Sequence, residues 1–259
     1  MKPKIDFCVV GPQRTSTTWI YEKLLKSRQV NLPTKVKETF FFDQKFSKGF
    51  SYYFSLFENY DSNLINGEIG PTYFHSLEAA ERIYNSNNNC KIIFIYRDPI
   101  EKCISLYQHH YRKGRVGKDF KKAIIKRPDI IETSRYSIYS KMWTNLFTNE
   151  NVLMVHFNDL KHKPQQFLDE ITCFLGLERI IVKENDLKKV NQSTVPKYRI
   201  LAKIFAFGAA LMRKYDFHIV AEFGKKIGLK KVFEGGKEHS NFIYEKEWVK
   251  TQFIKQDFK

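Results

Sequence analysis

Apolar residues at Ile5, Phe7, Val9 and Val10 suit a buried strand, which Gly11-Pro12 stops. Trp19, Ile20, Leu24 and Leu25 then recur at helical spacing, with Thr17 or Thr18 placed to cap that helix. The same change of period returns later: Ile92 to Tyr96 is an apolar strand closed by the turn Arg97-Asp98-Pro99, and Ile100, Ile104 and Tyr107 share one face of the next helix. Tyr139, Met142, Trp143 and Leu146 predict a further helix, and Val152 to Phe157 a third buried strand. Asn158-Asp159-Leu160 caps into a helix with Phe167, Leu168, Ile171, Phe174 and Leu175 on its apolar face and Gly176 as its C′ residue. Between the first helix and these elements, the stretch from Lys35 to Asp43 reads as a short extended segment entering an aromatic cluster.

A chain of 259 residues is long enough for one α/β domain with a real core. No long Pro/Gly/Ser linker or internal repeat divides it, so one domain over residues 1–259 is expected, its core at about 5–180. From about 190 to 259 the chain is basic and amphipathic, with Leu201, Ile204, Phe205, Leu211 and Met212 apolar. That region suits a packed helix, and equally a contact with a membrane surface or a partner. The longest apolar run, Ile204 to Met212, is far below the roughly 20 residues that span a bilayer.

Charge narrows the partners. Lys and Arg number 44 against 28 Asp and Glu, a net +16, which fits nucleic acid, an anionic membrane, or an acidic small molecule or polysaccharide. The basic residues are spread along the chain without a recognisable nucleic-acid module, so no nucleic-acid partner is expected. Cys8, Cys90, Cys103 and Cys173 form no C-x-x-C pair, which points to neither zinc nor a disulfide framework. Free thiols and a chain starting almost directly on its first strand make a cytoplasmic protein the expectation, if the chain is full length. Composition leaves the oligomeric state open.

The turn Gln13-Arg14-Thr15-Ser16-Thr17-Thr18 brings backbone N–H groups, four hydroxyls and a guanidinium to a helix N-terminus, a binding site for phosphate or sulfate. The alternative is a turn whose threonines only cap the helix. It is not a nucleotide-triphosphatase loop, because Ser16 stands where the second glycine is needed and Thr17 where the lysine is. Arg97 lies at the carboxyl end of a strand, where open parallel sheets bind ligands, and Ser105 follows eight residues on; both can reach one phosphate. Otherwise Arg97 pairs with Asp98 and Ser105 faces solvent. In an extended segment Glu38 would point away from Lys35 and Lys37, and a partly dehydrated Glu there is a candidate general base. The alternative is a surface Glu paired with a lysine. His109 and His110, adjacent on a helix, lack metal-ligand spacing, and His109 is a candidate for substrate contact. Residues 112–126 read as a basic flap or a solvated helix pair.

Several of these stretches resemble one family, the sulfotransferases that use 3′-phosphoadenosine 5′-phosphosulfate (PAPS). Gly11 to Thr18 is similar to its G-P-x-[KR]-[TS]-[GS]-[TS]-[TS] phosphosulfate loop, and Tyr96 to Ser105 to its Y-R-D-P-x-x-[KR]-x-x-S 3′-phosphate motif. Glu38 with Phe41-Phe42-Asp43 resembles the E-x-x-F-F-D stretch carrying the catalytic glutamate in the glycosaminoglycan (heparan sulfate) branch. Gly67 to Phe74 is similar to that branch's E-K-[ST]-P-x-Y-F, with Ile69 replacing the lysine. Gly236-Lys237 corresponds to a loop covering the nucleotide.

The resemblance implies an α/β domain with a mostly parallel central sheet flanked by helices and a P-loop-like phosphosulfate loop. It implies PAPS as donor, PAP as product and no required metal. Glu38 is then the general base and Arg14 stabilises the leaving group; Gln13, Thr15, Ser16, Thr17, Thr18, Arg97, Ser105, Gly236 and Lys237 join Arg14 at the nucleotide. The acceptor implied is a carbohydrate hydroxyl or amine, with Lys37, Phe42, Glu68, Tyr73, His75 and His109 as candidate contacts and the aromatics from Phe40 to Tyr53 suited to stacking on sugar rings. A nucleotide kinase on a similar sheet and a non-catalytic binder of anionic polymer are the other classes.

Overall fold

The computed structural model describes residues 4–58, 61, 63–187, 208 and 242–254. In chain order the elements are β1 (Phe7–Gly11), α1 (Thr17–Leu24), β2 (Val30–Asn31), a π-helical turn (Phe41–Lys45), α2 (Gly49–Ser55), β3 (Ile65–Ile69) and α3 (Leu77–Ser86). They continue with β4 (Lys91–Tyr96), α4 (Pro99–Arg112), α5 (Phe120–Lys126), α6 (Asp129–Glu132), α7 (Tyr136–Leu146), β5 (Val152–His156), α8 (Phe157–His162), α9 (Pro164–Leu175) and α10 (Glu184–Leu187); a further helix is Ile243–Ile254. The chain divides into two compact units, one of Met1–Arg97 and Arg135–Asn191, the other of Asp98–Ser134 and Gln192–Lys259.

The first unit is built on a five-stranded sheet of order β2-β3-β1-β4-β5, in which every pairing is parallel. Parallel strands need crossovers, which cover both faces, so β1 and β4 are buried continuously and their alternate residues face two different cores. Cys8 and Val10 face one core with Ile92, Phe94, Tyr53, Tyr73, Phe74 and Trp143; Phe7 and Val9 face another with Trp19, Ile20, Ile93, Ile95, Phe167 and Ile171. Trp143 ties α7 to the sheet's end by donating its indole N–H to the Phe74 carbonyl at 3.0 Å. The three strands expected from apolar runs are present. The helix expected after residue 158 is two, α8 and α9, because Pro164 cannot continue the first. Gly176 closes α9 at φ 74, as its C′ position anticipates.

The second unit has its own core, in which Cys103, Leu106 and Tyr107 of α4 pack with Phe120, Ile130 and Val249. The basic segment after α4 is tied down there, since the Tyr107 hydroxyl donates to the Lys118 carbonyl at 2.7 Å and Val116 is buried. No helix among the described residues is long and apolar enough to cross a membrane.

The end of β1 depends on a glycine. Gly11 has φ 100, and a Cβ there would lie 2.7 Å from the Pro71 Cα, a backbone atom that cannot swing aside as a side chain would. Gly11→Ala therefore combines left-handed strain with overpacking, and we expect it to lower unfolding free energy by about 2–5 kcal/mol. Urea denaturation measures this; a loss below about 1 kcal/mol would mean that the Pro71 strand end moves aside at little cost.

Candidate functional site

β1 runs out at Gly11 and the chain turns sharply through Arg14 and Ser16, both in the left-handed region at φ 70 and φ 66. Such backbone costs about 1–3 kcal/mol per residue and collects at functional sites. Ser16 is the N-cap of α1, in place of the expected Thr17 or Thr18, and its side chain makes no capping bond; Thr17 is the first helical residue. The Thr15 hydroxyl is buried and turned inward onto the Pro12 carbonyl at 2.6 Å, so it braces the turn. Gln13 and Arg14 are half-buried, and Thr18 is exposed. The first N–H groups of a helix have no intrahelical acceptor, so the turn offers donors where an anion is stabilised.

Arg97 follows β4, the strand beside β1. Its guanidinium donates to the Arg14 carbonyl at 2.8 Å and stacks on the Phe157 ring at 4.6 Å, and its N–H donates to the Tyr136 hydroxyl at 3.2 Å. The two anion-binding stretches found separately in the sequence thus touch, because their strands are sheet neighbours. Ser105 is buried on α4 of the second unit, away from the solvent-facing alternative. His109 is half-buried on the same helix, its ring 5.8 Å from that of His110. Gly236-Lys237 and most of the amphipathic region from 190 onward lie outside the described residues.

Glu38 stands differently from the expectation. Residues 34–40 bend and form no strand, so alternation does not apply; the Lys37 ammonium lies 2.9 Å from the Glu38 carboxylate. The same ammonium donates to the Thr18 hydroxyl at 2.8 Å. Both side chains are about a quarter exposed, at 25% and 27%, which leaves the pair reachable from solvent at the start of α1. Lys37 therefore lies between the Glu38 carboxylate and the Thr18 hydroxyl of the turn.

The aromatic run that follows is interior. Phe42 is fully buried among Phe41, Tyr53 and Tyr73, and these rings pack on one another, with centroids 4.6–5.8 Å apart. Tyr73 and Glu68 are also fully buried. Phe42, Glu68 and Tyr73 are thus corrected from acceptor contacts to core residues, while Phe50 is exposed. His75 is half-buried with its ring edge-on to Tyr139 at 6.2 Å. Ile69, where the resembling motif has lysine, is buried on the opposite sheet face beside Val9 and Ile93.

Behind Glu38 lies a polar cluster that the sequence did not reveal. The Thr39 hydroxyl donates to Glu68 Oε2 at 2.6 Å, lies 3.1 Å from the Tyr73 hydroxyl and accepts the Phe41 N–H at 3.1 Å; the Tyr73 hydroxyl accepts the Phe42 N–H at 3.3 Å. Burial raises Glu68 to about 7, against hydrogen bonds that favour its charge and with Asp43 reinforcing the rise. The one available signal was a lone hydroxyl residue, Thr39, heading a run of phenylalanines.

The mouse bifunctional heparan sulfate N-deacetylase/N-sulfotransferase 4 is 30% identical over 193 residues, covering 66% of this chain and 22% of that protein. Human heparan sulfate glucosamine 3-O-sulfotransferase 3B1 is 31% identical over 157 residues, 57% of this chain and 40% of that one. The chain thus spans less than half the length of either. A sulfotransferase from Alicyclobacillus acidocaldarius superposes with a TM-score of 0.62 over 83% of this chain and 96% of its own at 19% identity, a likeness of fold. The family model described as the sulfotransferase domain matches residues 4–214, and the chain belongs to that family.

Proposed function

We propose that the chain moves a sulfuryl group from PAPS to a hydroxyl or amine of a saccharide acceptor. The observation that carries this is the Arg97 guanidinium on the Arg14 carbonyl, which joins the stretches resembling the 3′-phosphate and phosphosulfate motifs. The turn fits the donor's anionic end: left-handed backbone at Arg14 and Ser16, a guanidinium and a helix N-terminus meet there. Arg97 is assigned to the 3′-phosphate, and Gln13 to Thr18 to the 5′-phosphosulfate. PAPS would supply the activated sulfuryl group, and PAP would leave through its 5′-phosphate oxygen as the S–O bond to it breaks.

Glu38 takes the acceptor proton as the acceptor oxygen or nitrogen approaches sulfur. Lys37, bonded to Glu38 and Thr18 in the structure, releases the carboxylate for that proton by turning its charge to the transferring group. Arg14 hydrogen-bonds the leaving phosphate; a guanidinium does not deprotonate, so it stabilises charge without giving up a proton. A saccharide acceptor is supported by the two relatives described above, both named for heparan sulfate.

A thermal-shift panel of PAP, PAPS, AMP, ADP and ATP, with and without Mg²⁺, tests the donor. PAP is expected to stabilise the fold far more than AMP or ADP, and Arg97→Ala to weaken PAP binding by about 1.5–3 kcal/mol, the worth of a hydrogen bond to a charged group. Equal shifts from PAP and ADP would remove the PAPS reading, a Mg²⁺-dependent ATP shift would favour a kinase, and no shift at all a binder of anionic polymer.

A further inference from the structure

The fully buried Glu68 needs an explanation that the proposed chemistry does not give. It sits on β3 opposite Cys8 of β1, facing the aromatic core, and a buried carboxylate is costly unless bonded. The bonds it makes have a direction. Thr39 has a single hydroxyl proton, and an ionised carboxylate only accepts, so that proton lies on the 2.6 Å bond to Glu68. The Tyr73 hydroxyl must then donate to Thr39 while accepting the Phe42 N–H. Two backbone N–H groups, Phe41 and Phe42, and two hydroxyls thus form a set of donors ending on one carboxylate.

What this set fixes is the backbone directly after Glu38. Phe40 stands at φ 54, left-handed and unusual for a bulky residue, between Thr39 and the π-helical turn whose Gln44 and Lys45 N–H groups both donate to its carbonyl at 3.0 Å. Gly70 lets the Tyr73 ring lie close: a Cβ there would come 2.1 Å from the ring, so no other residue leaves the tyrosine where its hydroxyl meets Thr39. We propose that Glu68 is a positioning residue which acts through Thr39 to hold the bend carrying Glu38 and Lys37 at the start of α1. The inference rests on Glu38 being the base.

The groups around Glu68 from every side are Thr39, Asp43 on the π-helical turn, Tyr53 on α2, Tyr73, and Cys8 on β1. Among the described residues, the Tyr53 hydroxyl and Glu68 Oε1 have no hydrogen-bond partner. Lowering pH through about 7 neutralises Glu68 and turns the charge-assisted Thr39 bond into a neutral one of roughly half the strength. Glu68→Gln is neutral at every pH and copies that state.

The test is a set of cycles among Thr39→Val, Glu68→Gln and Glu38→Gln, with turnover read on a saccharide acceptor at saturating PAPS and PAP affinity read separately. Thr39→Val is expected to lower kcat about 10-fold to 10²-fold, the cost of misplacing a reacting group by about 1 Å, with PAP affinity unchanged and Thr39→Ser restoring most of the loss. Glu68→Gln should fall below wild type at pH 8 and converge with it at pH 6. In a Glu38→Gln background neither change should cost more, since both act through the same residue. Thr39→Val and Glu68→Gln within threefold of wild type at pH 8, or losses that multiply with that of Glu38→Gln, would overturn the inference and leave the base assignment standing. Full activity in Glu38→Gln alone would overturn the base assignment, and this inference with it.

Discussion

Glu38→Gln is expected to bind PAP as wild type does while sulfuryl transfer falls roughly 10²-fold to 10⁴-fold, the range for a lost general base. Glutamine keeps the size and the hydrogen-bond acceptor that Lys37 uses at 2.9 Å, so the Lys37 contact to Thr18 and the start of α1 should survive. What disappears is the ability to take a proton at neutral pH. The structure makes the prediction more exposed than a motif would, because a carboxylate paired with lysine is also what a plain surface ion pair looks like, and such pairs contribute little. Lys37 also reaches the exposed Thr18 hydroxyl on the first turn of α1, a contact open to either kind of pair, so turnover has to separate the two. Calorimetry for PAP and single-turnover rates with sugar acceptors decide it. A variant within about threefold of wild type, under conditions where chemistry limits the rate, would move the base elsewhere, and Glu68, being buried, could replace it only after the Thr39 cluster opened.

The sheet was legible because it is recorded locally. Continuous burial at Phe7 to Val10 and at Ile92 to Ile95 is what a strand covered on both faces requires, and Gly11-Pro12 and Arg97-Asp98-Pro99 mark where each ends. The contact of Arg97 with the Arg14 carbonyl follows from the β1–β4 pairing, so two motifs 83 positions apart needed only strand adjacency to become one site.

The Glu38 segment was not legible in the same way. Alternation predicted that Glu38 faces away from Lys37, but bends through residues 34–37 put the two together. Phe42, Tyr73 and Glu68 looked like acceptor contacts because aromatic and acidic residues serve both there and in a core; which role they take depends on the β1–β3 register, which sets Glu68 inward opposite Cys8. Burial of a carboxylate is a tertiary fact. β2, only Val30–Asn31, is too short to give any period, and β3 was read as a motif because Asn66, Gly67 and Glu68 leave it no apolar run.

Arg14 carries the second large effect. Its backbone is held by the Arg97 bond to its carbonyl, an atom that survives any side-chain change, so Arg14→Ala should leave the turn's shape in place and remove only the guanidinium. Losing one preorganised donor to charge that grows in the transition state costs about 10²-fold to 10³-fold in kcat, with a smaller effect on PAP affinity. Arg14→Lys should keep much of the rate, because it keeps a cation and the family motif takes lysine or arginine at this place. The lysine also keeps the left-handed φ of 70 at the same cost as the arginine, so the comparison isolates side-chain chemistry. Rates at saturating PAPS, with PAP affinities measured beside them, separate the cases. A lysine variant as slow as the alanine one would mean that the planar two-pronged geometry of arginine is required and that charge alone is insufficient. An alanine variant near wild type would instead assign the leaving-group charge to the N–H groups at the start of α1, leaving Arg14 a residue that shapes the turn through its backbone.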